Sequence, residues 1–190
     1  MARGTRRGEL VGRTVAFLVA NEGVEQIELT DPWQAIEQSG GDCVLIAPEE
    51  GQVQAVNHLT RSATFPVHRT VAEARVRDFV GLVLPGGVAN PDRLRTDEKA
   101  VAFVRGFADA GKPVAAICHA PWMLIEAGVV EGKTLTSWPS LRTDLRNAGA
   151  EWVDEDVVLS PEAGYLLITS RKPGDLPGFC REMVKAFATA

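Results

Sequence analysis

Lys112-Pro-Val-Ala-Ala-Ile-Cys-His-Ala-Pro-Trp122 decides how this chain folds. Pro113 to Ile117 is a short apolar run, the pattern of a strand buried on both faces of a parallel sheet. Gly111 and Lys112 end the helix before it. After Cys118 come His119, Ala120 and Pro121, then Trp122-Met-Leu-Ile-Glu-Ala and, at 128, a glycine. These are helix-forming residues, with a proline suited to a first turn and a glycine suited to a C-terminus. The stretch reads as strand, sharp turn and helix, with a cysteine at the turn.

A strand that runs straight into a helix forces its junction residue into a tight conformation and exposes that side chain above the sheet edge. Such an elbow needs small residues two before and two after the junction, and Ala116 and Ala120 stand there. A helix N-terminus beneath a thiol favours the thiolate. Backbone N–H groups of the turn are also suited to hold an oxyanion. A buried cysteine on a core strand, with no chemistry, fits the same residues. Both readings stay open on the residues alone.

Working outward, Arg13 to Ala20 is a first buried strand, Asn21 to Val24 a loop, and Glu25 to Ser39 a helix. Ile27, Trp33 and Ile36 suit one buried helix face, Pro32 lies near the start or kinks it, and Gly40-Gly41 closes it. Cys43 to Ala47 is the second strand, so the segment is a βαβ unit and the sheet is parallel. Gln52 to Val56 and Phe65 to Val71 are irregular candidates for further strands. Val80 to Leu84 is a buried strand ending in Pro85-Gly86-Gly87, and a helix from about Asp97 to Ala110 leads to the elbow. Short strands at Lys133 to Thr136, Trp152 to Val153, Val157 to Leu159 and Tyr165 to Thr169 follow, with helices at Ser140 to Ala148 and Leu176 to Ala186. The expected fold is α/β: a flavodoxin-like three-layer sandwich with a mostly parallel central sheet. Ligands bind such sheets at the carboxyl ends of the strands. The Asn21 to Glu28 loop, Gly86-Gly87 and Cys118-His119 all fall at such ends.

The chain has 190 residues, enough for one compact α/β domain. Residues 1–12 are expected to be a loose tail and 13–190 a single domain. A net charge of -5 argues against nucleic acid as the main partner. Three cysteines, an odd number without metal-ligand spacing, suit a reducing cytoplasm; no disulfide framework, metal or cofactor is expected. The N-terminus lacks the apolar run of a secretory signal, and nothing approaches the length of a membrane span.

Only three histidines occur, His58, His68 and His119, and none follows His119. A site that takes its histidine from well downstream of the cysteine is therefore ruled out, and a cysteine-type α/β-hydrolase, which expects a late histidine, fares worst among the readings. An imidazole assisting Cys118 is the adjacent His119. Glu22, Glu25 and Glu28 lie three apart, which a helix would put on one side. They read either as acids enriched at a helix start or as the source of a protonated carboxyl that reaches the thiol. Gly86-Gly87 would let the backbone approach the nucleophile and offer an N–H to an oxyanion.

Val-Leu-Pro-Gly-Gly at 83–87, Asn-Pro-Asp-Arg-Leu-Arg at 90–95, Gly-Lys-Pro-Val-Ala-Ala-Ile-Cys-His-Ala-Pro at 111–121 and Asn-Ala-Gly-Ala-Glu-Trp-Val-Asp at 147–154 closely resemble the ThiJ/PfpI superfamily. The branch is that of the PfpI-type intracellular proteases and bacterial general-stress proteins. The similarity runs from about Arg13 to the C-terminus. It implies a nucleophile at Cys118, an oxyanion hole from the N–H groups of Gly87 and His119, and homo-oligomers, dimeric or larger. It implies Glu25 as the acid that contacts the thiol and Glu28 as a second acid typical of the branch. Asp92 matches an acid lent by the neighbouring subunit to orient the histidine. Trp138 stands where the archaeal proteases carry a tyrosine, so a hydroxyl donor is missing there. The implied function is a stress-protective cysteine hydrolase of the cytoplasm. Its substrates would be peptides, or methylglyoxal and glyoxal adducts of proteins. The rival reading is a redox sensor or holdase whose reactive cysteine is oxidised. Cys43 reads as inert core, and Cys180 as partly exposed without activation.

Overall fold

The computed structural model describes residues 8–190. The elements begin with β1 (Thr14–Leu18), β2 (Glu22–Glu25), α1 (Gln26–Gln38), β3 (Asp42–Ala47), β4 (Gln52–Asn57), β5 (Thr60–Pro66) and β6 (Arg69–Thr70). Next come β7 (Gly81–Leu84), α2 (Ala89–Leu94), α3 (Glu98–Asp109), β8 (Val114–Ile117) and α4 (Pro121–Glu126). The chain ends with β9 (Thr134–Leu135), α5 (Arg142–Asn147), β10 (Glu151–Trp152), β11 (Val157–Ser160), β12 (Leu167–Ser170) and α6 (Leu176–Thr189). Seven strands make the main sheet, in the order β11-β12-β8-β7-β1-β3-β6. Every neighbouring pair is parallel except β11 with β12. The architecture is the expected flavodoxin-like sandwich.

Pleating divides the core in two. Val15 and Phe17 of β1 point to one face, where α1 and α6 pack through Leu29, Ile36, Phe179 and Phe187. Ala16 and Leu18 point to the other, against Phe103, Val104 and Phe107 of α3 and Leu124 of α4. The residues of α3 fall on one stripe because they are spaced three and four apart. Asp97 starts that helix by accepting the N–H groups of Lys99 and Ala100, each at 2.9 Å.

Several expectations are corrected. Glu22 to Glu25 is a strand, not a loop: it pairs with β4, and β5 completes a small separate sheet. Residues 89–94 form a helix where none was expected. Pro32 lies in the middle of α1, not near its start. Of the expected tail, residues 1–7 lie outside the described residues, and within 8–12 the chain is anchored at Leu10. Leu10 is fully buried, and its N–H donates to the Ser39 carbonyl at 2.9 Å. Among the described residues no helix is long and apolar enough to cross a membrane.

The chain leaves β1 toward β3 on one side and returns through β7, β8 and β12 on the other. The loops after β1, β7 and β8 therefore meet at one sheet edge, at the topological switch.

Candidate active site

Cys118 follows β8 directly and has φ +64, the left-handed region that costs a side chain energy. Both of its backbone groups are held from outside the turn. Its N–H donates to the Ser170 carbonyl at 3.0 Å, and its carbonyl accepts from Trp138 N–H at 2.8 Å. Ala120 N–H closes the turn onto Ile117 at 3.0 Å. The elbow is thus present as expected. Its thiol, however, is only 6% exposed, because the loop after β7 and the start of α1 close over it.

The loop after β7 approaches so closely that only glycine fits. A Cβ on Gly86 would lie 2.6 Å from Glu28 Oε2 and 2.7 Å from Cys118 Cβ. Gly87 has φ +83, and a Cβ there would meet Glu25 N at 2.8 Å. With no side chains in the way, the N–H of Gly87 reaches the sulfur, as does that of His119. Asn90, fully buried, fastens this loop to the one after β1. Its Oδ1 accepts Ala20 N–H at 2.7 Å, and its Nδ2 donates to the carbonyls of Pro85 at 2.9 Å and Gly86 at 3.1 Å. Sequence reasoning missed Asn90, although a polar residue three after Pro-Gly-Gly-Val's glycine pair was a legible signal for a loop-fastening amide.

The acids are reassigned. Glu28, not Glu25, meets the thiol. The buried side of α1 comprises Glu28, Leu29, Pro32 and Ile36, while Ile27 is 41% exposed. The helix is therefore rotated from the expected face, and the rotation carries Glu28 inward. Glu28 Oε2 accepts Gly86 N–H at 3.0 Å, and its side chain interacts with the Cys118 thiol. Its Oε1 is buried and makes no hydrogen bond of ordinary geometry. Glu25 immediately precedes α1, and its Oε2 accepts the N–H of His58 at 2.9 Å. Glu22 lies on β2, ion-paired with Arg93 at 2.9 Å and Arg61 at 3.3 Å, so the three acids do not share a helix side.

Burial pushes the Glu28 carboxyl up to about 8, and the charge of Glu25 adds to the rise, against the opposing Cys118 thiol and the N–H groups of Gly86 and Gly87. Burial also pushes the Cys118 thiol well above the ordinary range, and an ionised Glu28 pushes it further. Only the N–H groups of Gly87 and His119 pull it down. The activation expected from the helix N-terminus is opposed by this burial. The site does not accommodate two negative charges. Near neutral pH Glu28 keeps its proton, so a thiolate at Cys118 has a carboxylic acid, not a carboxylate, beside it.

His119 Nδ1 lies 3.2 Å from Cys118 Sγ. Burial pushes the imidazole down to about 4, so it is neutral at physiological pH. Among the described residues no carboxylate hydrogen-bonds to it. Asp92 is exposed in the first turn of α2 and lines an open groove of about 730 Å³ with Arg95, Thr96, Arg105 and Glu126. Trp138 stacks on His119, with ring centroids 5.6 Å apart and planes at 22°. His68 Nδ1 accepts Leu45 N–H at 3.0 Å, away from the elbow. Cys43 and Cys180 are half-buried, and burial pushes both thiols up.

A family model described as the DJ-1/PfpI family matches residues 13–186. A deglycase of Pyrococcus horikoshii is 40% identical over 171 residues, covering 90% of this chain and 97% of that one. General stress protein 18 of Bacillus subtilis is 37% identical over 172 residues, covering 90% and 96%. The crystal structure of Drosophila melanogaster DJ-1beta superposes with a TM-score of 0.81 at 26% identity, covering 94% of this chain and 91% of that one.

Proposed function

Because the chain belongs to the DJ-1/PfpI family, we propose that it is a cytoplasmic, stress-protective hydrolase that uses Cys118 as its nucleophile. The observation that carries this reading is the strained elbow: Cys118 at φ +64, with His119 at 3.2 Å on one side and the protonated Glu28 on the other. The sulfur attacks a substrate carbonyl carbon, forming a C–S bond and leaving charge on the oxygen. The N–H groups of Gly87 and His119 are the donors for that charge. With a peptide, His119 accepts the thiol proton and passes it to the leaving amine, and water then cleaves the thioester. With a methylglyoxal adduct, Cys118 displaces the protein amine or thiol at the carbinol carbon, and the resulting hemithioacetal isomerises internally to a lactoyl thioester that water cleaves. Glu28 stabilises sulfur as its anion by donating its proton in a hydrogen bond. The substrates are peptides, or early methylglyoxal and glyoxal adducts on protein thiols and amines; relatives named as a cysteine protease and as a deglycase support the two classes.

A neutral His119 of low basicity is a weak base for this work. An acid from outside the chain would raise its basicity, which supports the assignment of Asp92, lent by a neighbouring copy in a dimer or larger homo-oligomer. The experiment is turnover of a peptide and of a methylglyoxal-adducted protein by the wild type, Cys118→Ser and Asp92→Asn. Turnover is lost in the serine variant and reduced in the asparagine variant, with activity rising with protein concentration as oligomers form. Turnover that survives in Cys118→Ser sinks the assignment.

One observation favours a second reading, oxidation sensing. The same two N–H groups and the Glu28 proton are placed to hold the oxygens of a sulfenic or sulfinic acid on Cys118. Under mild peroxide a pure sensor oxidises at Cys118 yet shows no turnover in the wild type.

A further inference from the structure

We propose that Trp138, together with Trp122, is a positioning residue for His119: the two indoles fix the plane of the imidazole against the thiol within a single chain. This rests on His119 being the proton carrier for Cys118. The Nδ1 contact to Sγ is the one side-chain hydrogen bond of His119 among the described residues. Within one chain, a single hydrogen bond leaves the ring free to turn about it, so until an acid from a neighbouring copy meets it the plane is set by packing. Trp138 lies face-on to the ring at 5.6 Å and 22°, and Trp122 is tilted against it at 5.3 Å and 56°.

Each indole is itself held by a separate element. Trp138 donates its backbone N–H to the Cys118 carbonyl, so any shift of the elbow carries the indole with it. Ser137 Oγ donates to the Trp138 carbonyl at 2.9 Å and accepts Trp152 Nε1 at 3.0 Å, which ties the segment to β10. Trp122 Nε1 donates to Asp144 Oδ2 of α5 at 3.0 Å, and the Arg95 guanidinium lies 5.8 Å over its ring. The side chain of Trp138 is 39% exposed. Core packing therefore does not account for a tryptophan here, whereas contact with the imidazole does. The charged groups that contact the imidazole's neighbours are Glu28 at the thiol and Asp144 and Arg95 at Trp122. Among the described residues none of them hydrogen-bonds to His119, so within one chain the aromatic contacts are left to orient it.

The test compares Trp138→Phe, which keeps an aromatic face, with Trp138→Leu, which keeps apolar bulk without one. Nitrogen NMR of the His119 ring reads which nitrogen carries the proton and whether one ring state is populated. Cys118 alkylation across pH reads the consequence. In Trp138→Leu the ring shows a mixture of states, and Cys118 alkylation near neutral pH changes by about two- to tenfold, the worth of one aromatic pair. In Trp138→Phe both readouts return close to wild type. A Leu variant with the wild-type ring spectrum and alkylation profile overturns the proposal. So does a Phe variant as impaired as the Leu variant. The ring spectrum needs no substrate, so it reports on positioning even if the wild type turns over neither peptide nor adduct.

Discussion

Replacing Glu28 by Gln isolates the proton that the site is built to retain. Glu28 is fully buried and its carboxyl is pushed from 4.5 up to about 8. Between those values the folded chain holds a proton that the unfolded chain has released. Stability linked to Glu28 is therefore complete below about pH 4.5 and is lost as pH rises to about 8. At about 1.4 kcal/mol per unit, the whole loss is on the order of 5 kcal/mol. Glutamine keeps the shape, accepts Gly86 N–H with its oxygen and does not titrate. The assay is urea unfolding, followed by tryptophan fluorescence, for both proteins from pH 4.5 to pH 8. Other groups titrate alike in the two and cancel in the difference. Relative to wild type, Glu28→Gln gains stability steadily across this window, by several kcal/mol in total. Alkylation of Cys118 above pH 8 is also faster in the variant, because no carboxylate faces the thiol there. A stability difference that stays flat within about 1 kcal/mol would refute the reasoning, since a carboxyl ionised at pH 5 leaves no proton to account for.

Three other substitutions probe the supports of the site. Gly86→Ala places a methyl group 2.7 Å from Cys118 Cβ; a loss of about 1–3 kcal/mol in chemical denaturation and an altered Cys118 alkylation rate are expected. Asn90→Ala strands the Ala20 N–H and the carbonyls of Pro85 and Gly86; denaturation should show a loss of about 2–4 kcal/mol, and hydrogen exchange at Ala20 should speed up. Lys133 is fully buried, with its ammonium donating to the carbonyls of Ser160, Glu162 and Tyr165 and lying 3.8 Å from the Tyr165 ring. Lys133→Met leaves those acceptors without a donor, so a melting temperature lowered by several degrees is expected, with Cys118 alkylation unchanged because the cage lies outside the site.

Much of the molecule was legible from periodicity and turn residues. The apolar runs at 14–18, 42–47, 81–84 and 114–117 became adjacent parallel strands, since a run without alternation is stable only with both faces covered. The elbow was legible because strand, small residue, cysteine and proline follow one another within a few positions. The Glu22 to Glu25 strand was not legible, because its partner β4 lies some thirty residues away, and short pairing of this kind overrides local propensity.

The acids of the site mark the boundary most sharply. The sequence alone determined that the acid-bearing segment 22–28 would follow the first strand at the carboxyl end of the sheet and that a cysteine would stand on a strand-to-helix turn, and it left open whether any of those acids reaches the thiol. Which acid it would be was decided by the rotation of α1, and spacing could not settle it. Ile27 is the more apolar choice for an inward position, yet it is exposed while Glu28 is buried. The tertiary structure makes that exchange tolerable by supplying the Gly86 N–H and the Cys118 thiol as partners for the carboxyl. The protonation of that acid likewise belongs to the fold: it comes from burial and a neighbouring charge, and neither exists until the loops after β1, β7 and β8 have come together.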